Sequence, residues 1–131
     1  MAPAQMASYG HFVRVLICDD EPDIRLLYRG AFERAGADVD EAADGDEAIE
    51  VADRVHPDLV ILDLYMPHRD GFSALPELRR RFPAARVIIV SAHAAVEVFD
   101  QGRALGAAAC FDKVSFLRRI PQVLDKYGSA A

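Results

Sequence analysis

Residues 57–63 read Pro-Asp-Leu-Val-Ile-Leu-Asp, and residues 64–71, Leu-Tyr-Met-Pro-His-Arg-Asp-Gly, follow directly. The apolar run at 59–62 lacks the alternation of a half-buried strand and is bounded by a proline turn and an aspartate. Such a run fits a strand covered on both faces, at the centre of a parallel sheet. Working outward, residues 13–18 and 87–90 repeat the pattern with nearly continuous Val, Ile and Leu. Residues 37–42, interrupted by Asp38, Asp40 and Glu41, and residues 108–113, polar at their end, read as weaker strands suited to the sheet edges.

Helical spacing fills the gaps. Ile24, Leu27, Tyr28, Ala31, Phe32 and Ala35 fall on one face of a helix that Gly36 stops. A second helix over 46–55 turns Ala48, Ile49 and Ala52 inward and ends before His56, because a residue preceding proline avoids helical geometry. A third, over 73–82, accommodates Pro76 only in its first turn. A fourth covers 95–105 and stops at Gly106, and a fifth covers 115–127, where Pro121 is expected to produce a kink. Five strands alternating with five helices predict an α/β, doubly wound, five-stranded parallel sheet. Order 2-1-3-4-5 is common for such a sheet, with its ligand crevice at the carboxyl ends of the first and third strands.

The composition agrees with one folded domain. In 131 residues, 52% are hydrophobic and 27% charged, enough apolar material for a core. Residues 1–12 read as a flexible arm, 13–127 as the domain and 128–131 as a tail. A formal charge of −6 disfavours direct nucleic-acid binding. Apolar runs break far short of the roughly 20 residues needed to span a bilayer, so no membrane insertion is expected and the chain reads as cytoplasmic. Cys18 and Cys110 have no metal-type spacing and fall on strands about 14 Å apart, so both are expected to be free thiols.

The chemistry lies at the strand ends. Asp19, Asp20 and Glu21 follow the first strand and Asp63 follows the third, its neighbour at about 4.8 Å. Three converging aspartates repel one another unless a hard cation sits among them, and Mg2+ suits this number of oxygen ligands. Ser91 ends the fourth strand and Lys113 the fifth, placing a hydroxyl and an ammonium beside the acids. The combination suits a phosphoryl group, with Asp63 as the carboxylate nucleophile.

At this point the chain resembles the receiver domains of bacterial two-component response regulators. The resemblance rests on Asp19-Asp20-Glu21, on the run from Pro57 through Asp63 to Gly71, on Ser91-Ala92, and on Gly106-Ala107 leading to Lys113, and it spans residues 13–127. It implies a flavodoxin-like receiver fold in which Asp63 takes a phosphoryl group from a phosphohistidine on a sensor histidine kinase or histidine phosphotransfer protein. It implies Asp20 and Asp63 as Mg2+ ligands, aided by Asp19 through water and by the Tyr65 backbone carbonyl. Lys113 would pair with the phosphoryl oxygens, and Ser91 would move toward them. A chain ending soon after the fifth helix suggests a stand-alone signalling protein, a phosphoacceptor and not an enzyme, acting on an unknown output protein. The contact surface expected by resemblance carries Val96, Val98, Arg103, Cys110 and Arg119.

Two positions depart from the family pattern. Val114 stands where proline usually follows the lysine, and Cys110 stands where an aromatic ring usually changes burial. The loop after the fifth strand and any aromatic switching are therefore expected to differ, and Phe111 should face the opposite side of the sheet from Cys110. Tyr65 and His93 flank the site and are candidates for gating the water that hydrolyses the acyl phosphate. His11, His56 and His68 read as surface residues, Asp70-Gly71 as a turn, and Arg79-Arg80-Arg81 as a solvated helix face. Among other readings, an aspartyl-nucleophile phosphatase would require a second aspartate where Tyr65 stands. A flavodoxin-type cofactor binder would require a Gly- or Ser-rich loop where Asp19-Asp20-Glu21-Pro22 stands. A receiver that docks without phosphorylation is the remaining alternative.

Overall fold

The computed structural model describes residues 12–92 and 95–128. Residues 1–11 of the arm over 1–12, residues 129–131 of the tail over 128–131, and His93 lie outside them. The strands are β1 (Arg14–Cys18), β2 (Asp38–Ala42), β3 (Leu59–Leu62), β4 (Arg86–Ser91) and β5 (Ala109–Asp112). They alternate with α1 (Pro22–Arg34), α2 (Gly45–Val55), α3 (Gly71–Arg81), α4 (Val96–Ala104) and α5 (Lys113–Tyr127). All strands are parallel in the order β2-β1-β3-β4-β5. This is the expected sheet, with the two interrupted runs at its edges.

Side-chain alternation divides the core into two layers. Leu16, Cys18, Val60, Leu62, Val87 and Ile89 face α2 and α3, where Ala48, Ala52, Ala74, Leu75 and Leu78 are buried. Val15, Ile17, Leu59, Ile61, Ile88 and Val90 face α1 and α5, meeting Tyr28, Phe32, Phe116, Ile120 and Leu124. The same period of two sends Cys110 to the first layer and Phe111 to the second. Cys18 and Cys110 are free thiols, as expected.

Local signals set the helix ends. Asp44 and Asp70 cap α2 and α3 by accepting from the amides of Glu47 and Ser73 at 2.8 and 2.9 Å. Gly36 and Gly106 take positive φ angles at the stops of α1 and α4. His56 ends α2 in the left-handed region, which resolves the restriction imposed by Pro57.

Several expectations are corrected. Pro76 sits in the middle of α3, which starts at Gly71, not in its first turn. Pro76 lies on the exposed side, so the carbonyl it deprives of a partner is on the solvent face while Ala74, Leu75 and Leu78 hold the helix to the sheet. Pro121 is likewise exposed, and α5 continues through it, anchored by Phe116, Ile120, Val123 and Leu124. Leu27, expected inward, is 47% exposed; only Tyr28 and Phe32 of α1 are buried. Lys113 is the first residue of α5 and not the end of β5, because Asp112 caps the helix immediately. Of the three arginines, Arg80 and Arg81 are exposed, whereas Arg79 donates to the carbonyls of Ala85 and Pro83 and fastens the turn after α3.

Candidate functional site

The strand register brings the acids together. Cys18 pairs with Leu62, so the next residues, Asp19 and Asp63, emerge side by side, and the Asp63 amide donates to the Cys18 carbonyl at 2.9 Å. Asp19 and Asp63 are buried, at 3% and 4% exposure, whereas Asp20 is exposed. One carboxylate oxygen from each of Asp19, Asp20 and Asp63 lies within 4.8 Å of the others. All three donors are hard oxygens, and the exposed Asp20 leaves a side open to water, a set that fits a hydrated divalent cation.

Lys113 supplies the counter-charge. Its Nζ stands 2.8 Å from Asp19 Oδ2, 3.2 Å from Asp63 Oδ2 and 3.2 Å from Glu21 Oε1. Burial works to lower the lysine's pKa, but the bond to Asp19 and the charges of Asp63 and Asp19 outweigh it and raise it, so the group stays cationic. Asp63 moves up to about 6, first through burial and then through the Asp19 charge, against the pull of Lys113 and of the Tyr65 amide, which donates to Oδ1 at 3.3 Å. The Glu21 amide donates to Asp19 Oδ1 at 2.9 Å and steadies the other buried carboxylate.

A cavity of about 240 Å³ opens over these groups, lined by Asp20, Glu21, Asp63, Tyr65, Ala92 and Lys113. Ser91 is fully buried at the end of β4, next to the lining residue Ala92. The Tyr65 side chain is 46% exposed and meets Phe72 edge-on at 6.3 Å. No carboxylate therefore stands two residues after Asp63, where the phosphatase reading needs one.

Gly71 does more than turn the chain. A Cβ there would collide with the Asp63 carbonyl oxygen and come within 2.9 Å of Leu64 Cα. The absence of a side chain lets α3 begin against the backbone of the acidic residue, with the Gly71 amide donating to the Leu64 carbonyl at 3.0 Å. Sequence reasoning places Asp19, Asp20, Asp63, Lys113 and Tyr65 at one site, and the structure brings these five together. It misses the grip of Glu21 on Lys113, and it misses Asp112, whose Oδ1 and Oδ2 accept from the Ser115 amide at 2.9 Å and hydroxyl at 2.8 Å. An aspartate three residues before a serine at a helix start was the available signal for Asp112.

Comparison with known proteins agrees with this geometry. Residues 15–125 match the response regulator receiver domain family. The chain is 32% identical over 114 residues to sporulation initiation phosphotransferase F of Bacillus subtilis, covering 87% of this chain and 92% of that protein. It is 41% identical over 96 residues to the transcriptional regulator ycf27 of Porphyridium aerugineum, covering 72% of this chain but only 39% of that longer protein. Among solved structures, the signal receiver domain of the response regulator NarL from Mycobacterium tuberculosis superposes with a TM-score of 0.80 at 34% identity, covering 88% of this chain and 95% of that one. A chain of the CheX-CheY-BeF3-Mg2+ complex from Borrelia burgdorferi gives 0.80 at 29% identity, covering 90% and 93%.

Proposed function

The chain belongs to the response regulator receiver family, whose members are phosphoacceptors in two-component signalling, and on that premise we propose that Asp63 is the residue phosphorylated. A carboxylate oxygen of Asp63 attacks the phosphorus of a phosphohistidine. The new P–O bond forms as the P–N bond breaks, and the imidazole nitrogen leaves with the electron pair. The supporting observation is the placement of Lys113 Nζ, 3.2 Å from Asp63 Oδ2 at the wall of a small water-accessible cavity, where it can neutralise phosphoryl oxygens.

Asp20, Asp63, Asp19 through water and the Tyr65 carbonyl are the groups that would hold Mg2+. Bound there, the ion supplies charge neutralisation to the transferring phosphoryl group. Ser91 donates a hydrogen bond to a phosphoryl oxygen after moving from its buried place. Tyr65, with His93, governs access of the water that later hydrolyses the acyl phosphate. The domain is a signalling switch and not an enzyme acting on a separate substrate. It receives its phosphoryl group from a sensor histidine kinase or a histidine phosphotransfer protein in the cytoplasm and transmits the state to an output protein. No helix among the described residues is long and apolar enough to cross a membrane.

The test is intact mass after incubation with acetyl phosphate, with and without Mg2+, on the wild type and Asp63→Asn. A Mg2+-dependent gain of one phosphoryl group that the variant lacks is expected. The same gain in Asp63→Asn would refute the assignment.

A further inference from the structure

Lys113 occupies a place that the fold itself holds weakly. β5 is a four-residue edge strand with no fully buried member, Val114 is 88% exposed, and the next buried residue is Phe116. The ammonium nevertheless sits 2.8 and 3.2 Å from two buried carboxylates. The position of the lysine Cα limits that reach, and the Cα is set where the strand gives way to the helix. One residue makes this transition, Asp112, with extended dihedrals of −80° and 154°. Both of its carboxylate oxygens are committed to Ser115, to the amide at 2.9 Å and the hydroxyl at 2.8 Å. Asp112 is also the strand partner of Ser91, and the Tyr28 hydroxyl donates to the Lys113 carbonyl at 3.4 Å. The first amides of a helix have no partner within it, and an uncapped first turn opens readily.

We propose that Asp112 is a positioning residue for the phosphoacceptor site, whose cap on α5 sets where the chain leaves the sheet for Lys113 and so holds the ammonium beside Asp19 and Asp63. The inference rests on the reading of Asp63 as phosphoacceptor. Asp112 touches neither the carboxylates nor the cavity; it acts through the backbone of its neighbour.

Asparagine separates the cap from the charge. It caps a helix as well as aspartate does, and its amide nitrogen can donate to the Ser115 hydroxyl, while the negative charge is gone. The measurement is the rate of mass gain with acetyl phosphate and Mg2+, with melting temperatures to confirm folding. Asp112→Ala should be slower by roughly fivefold, equivalent to about 1 kcal/mol less stabilisation of the transferring phosphoryl group, and Asp112→Asn should match the wild type. Ser115→Ala keeps the charge, removes the hydroxyl half of the clasp and should slow the reaction about twofold; should Asp112→Ala not fold, an unaltered rate in Ser115→Ala overturns the positioning role. An unaltered rate in folded Asp112→Ala, or an equal loss in Asp112→Asn, overturns the positioning role while phosphorylation of the wild type stands. No mass gain in the wild type overturns the phosphoacceptor reading, and this inference with it.

Discussion

At Asp63, burial and then the charge of Asp19 lift the carboxyl to about 6, whereas in the unfolded chain it ionises near 4. Between those values the unfolded chain has released a proton that the folded one keeps, so this group's contribution falls as pH rises through the window and stays unfavourable above it. Asp63→Asn in Mg2+-free buffer should therefore stabilise the protein at pH 7 by about 1–2 kcal/mol, less than the full shift implies because water in the cavity that Asp63 lines screens its charge. Lys113→Met should act in the opposite sense, costing about 3 kcal/mol by leaving Asp19 and Asp63 buried without an ammonium. Urea unfolding in EDTA measures both, and effects of the same sign would contradict this electrostatic account. Asp19 and Asp63 are legible in the sequence because each directly follows an apolar run that fixes its place. Glu21 is not, since its contact depends on the rotamer of a long exposed side chain reaching a residue 92 positions away.

Among the elements, the join between β3 and α3 is tightly constrained. Gly71→Ala would drive a methyl group into the Asp63 carbonyl, and relief requires moving either the helix or the acidic residue. A loss of about 2 kcal/mol or more in urea unfolding is expected, together with slower phosphorylation. Wild-type values for both would show that α3 shifts at little cost. The central strands are readable from their apolar runs because burial on both faces demands uninterrupted apolar residues, as at 59–62 and 87–90. The helix details are less so. Pro76 and Pro121 weigh against helix locally, yet each leaves the buried face of its helix intact and tertiary packing prevails. Leu27 satisfies the apolar period of α1 but lies at the margin of a stripe that Tyr28 and Phe32 already fill.

Across the whole molecule, α1 is tied to the edge strand β2 by Arg25 and Arg29, which meet Glu41 at 2.8 and 2.6 Å. Burial works to raise the Glu41 pKa, but the hydrogen bonds from Arg29 and Arg25 outweigh it and leave it below its ordinary value. A depressed carboxyl adds stability above its unfolded pKa, near 4.3, and loses it as pH falls through the lower folded value. Glu41→Gln should cost less than about 1 kcal/mol at pH 7, since the pair is partly solvated, and nothing once the wild-type carboxyl is protonated. Urea midpoints of the two proteins should converge in acid; a gap that persists there would assign the effect to packing. The sheet also separates two apolar layers, Leu75 in one and Phe32 in the other. Among the described residues Leu75 and Phe32 belong to separate buried clusters, so the costs of Leu75→Ala and Phe32→Leu should sum in the double variant to within about 0.5 kcal/mol. For a population accumulating mutations, the two sides are then separate ledgers: the layer beneath α3 can drift and be repaired without any compensating change beneath α1.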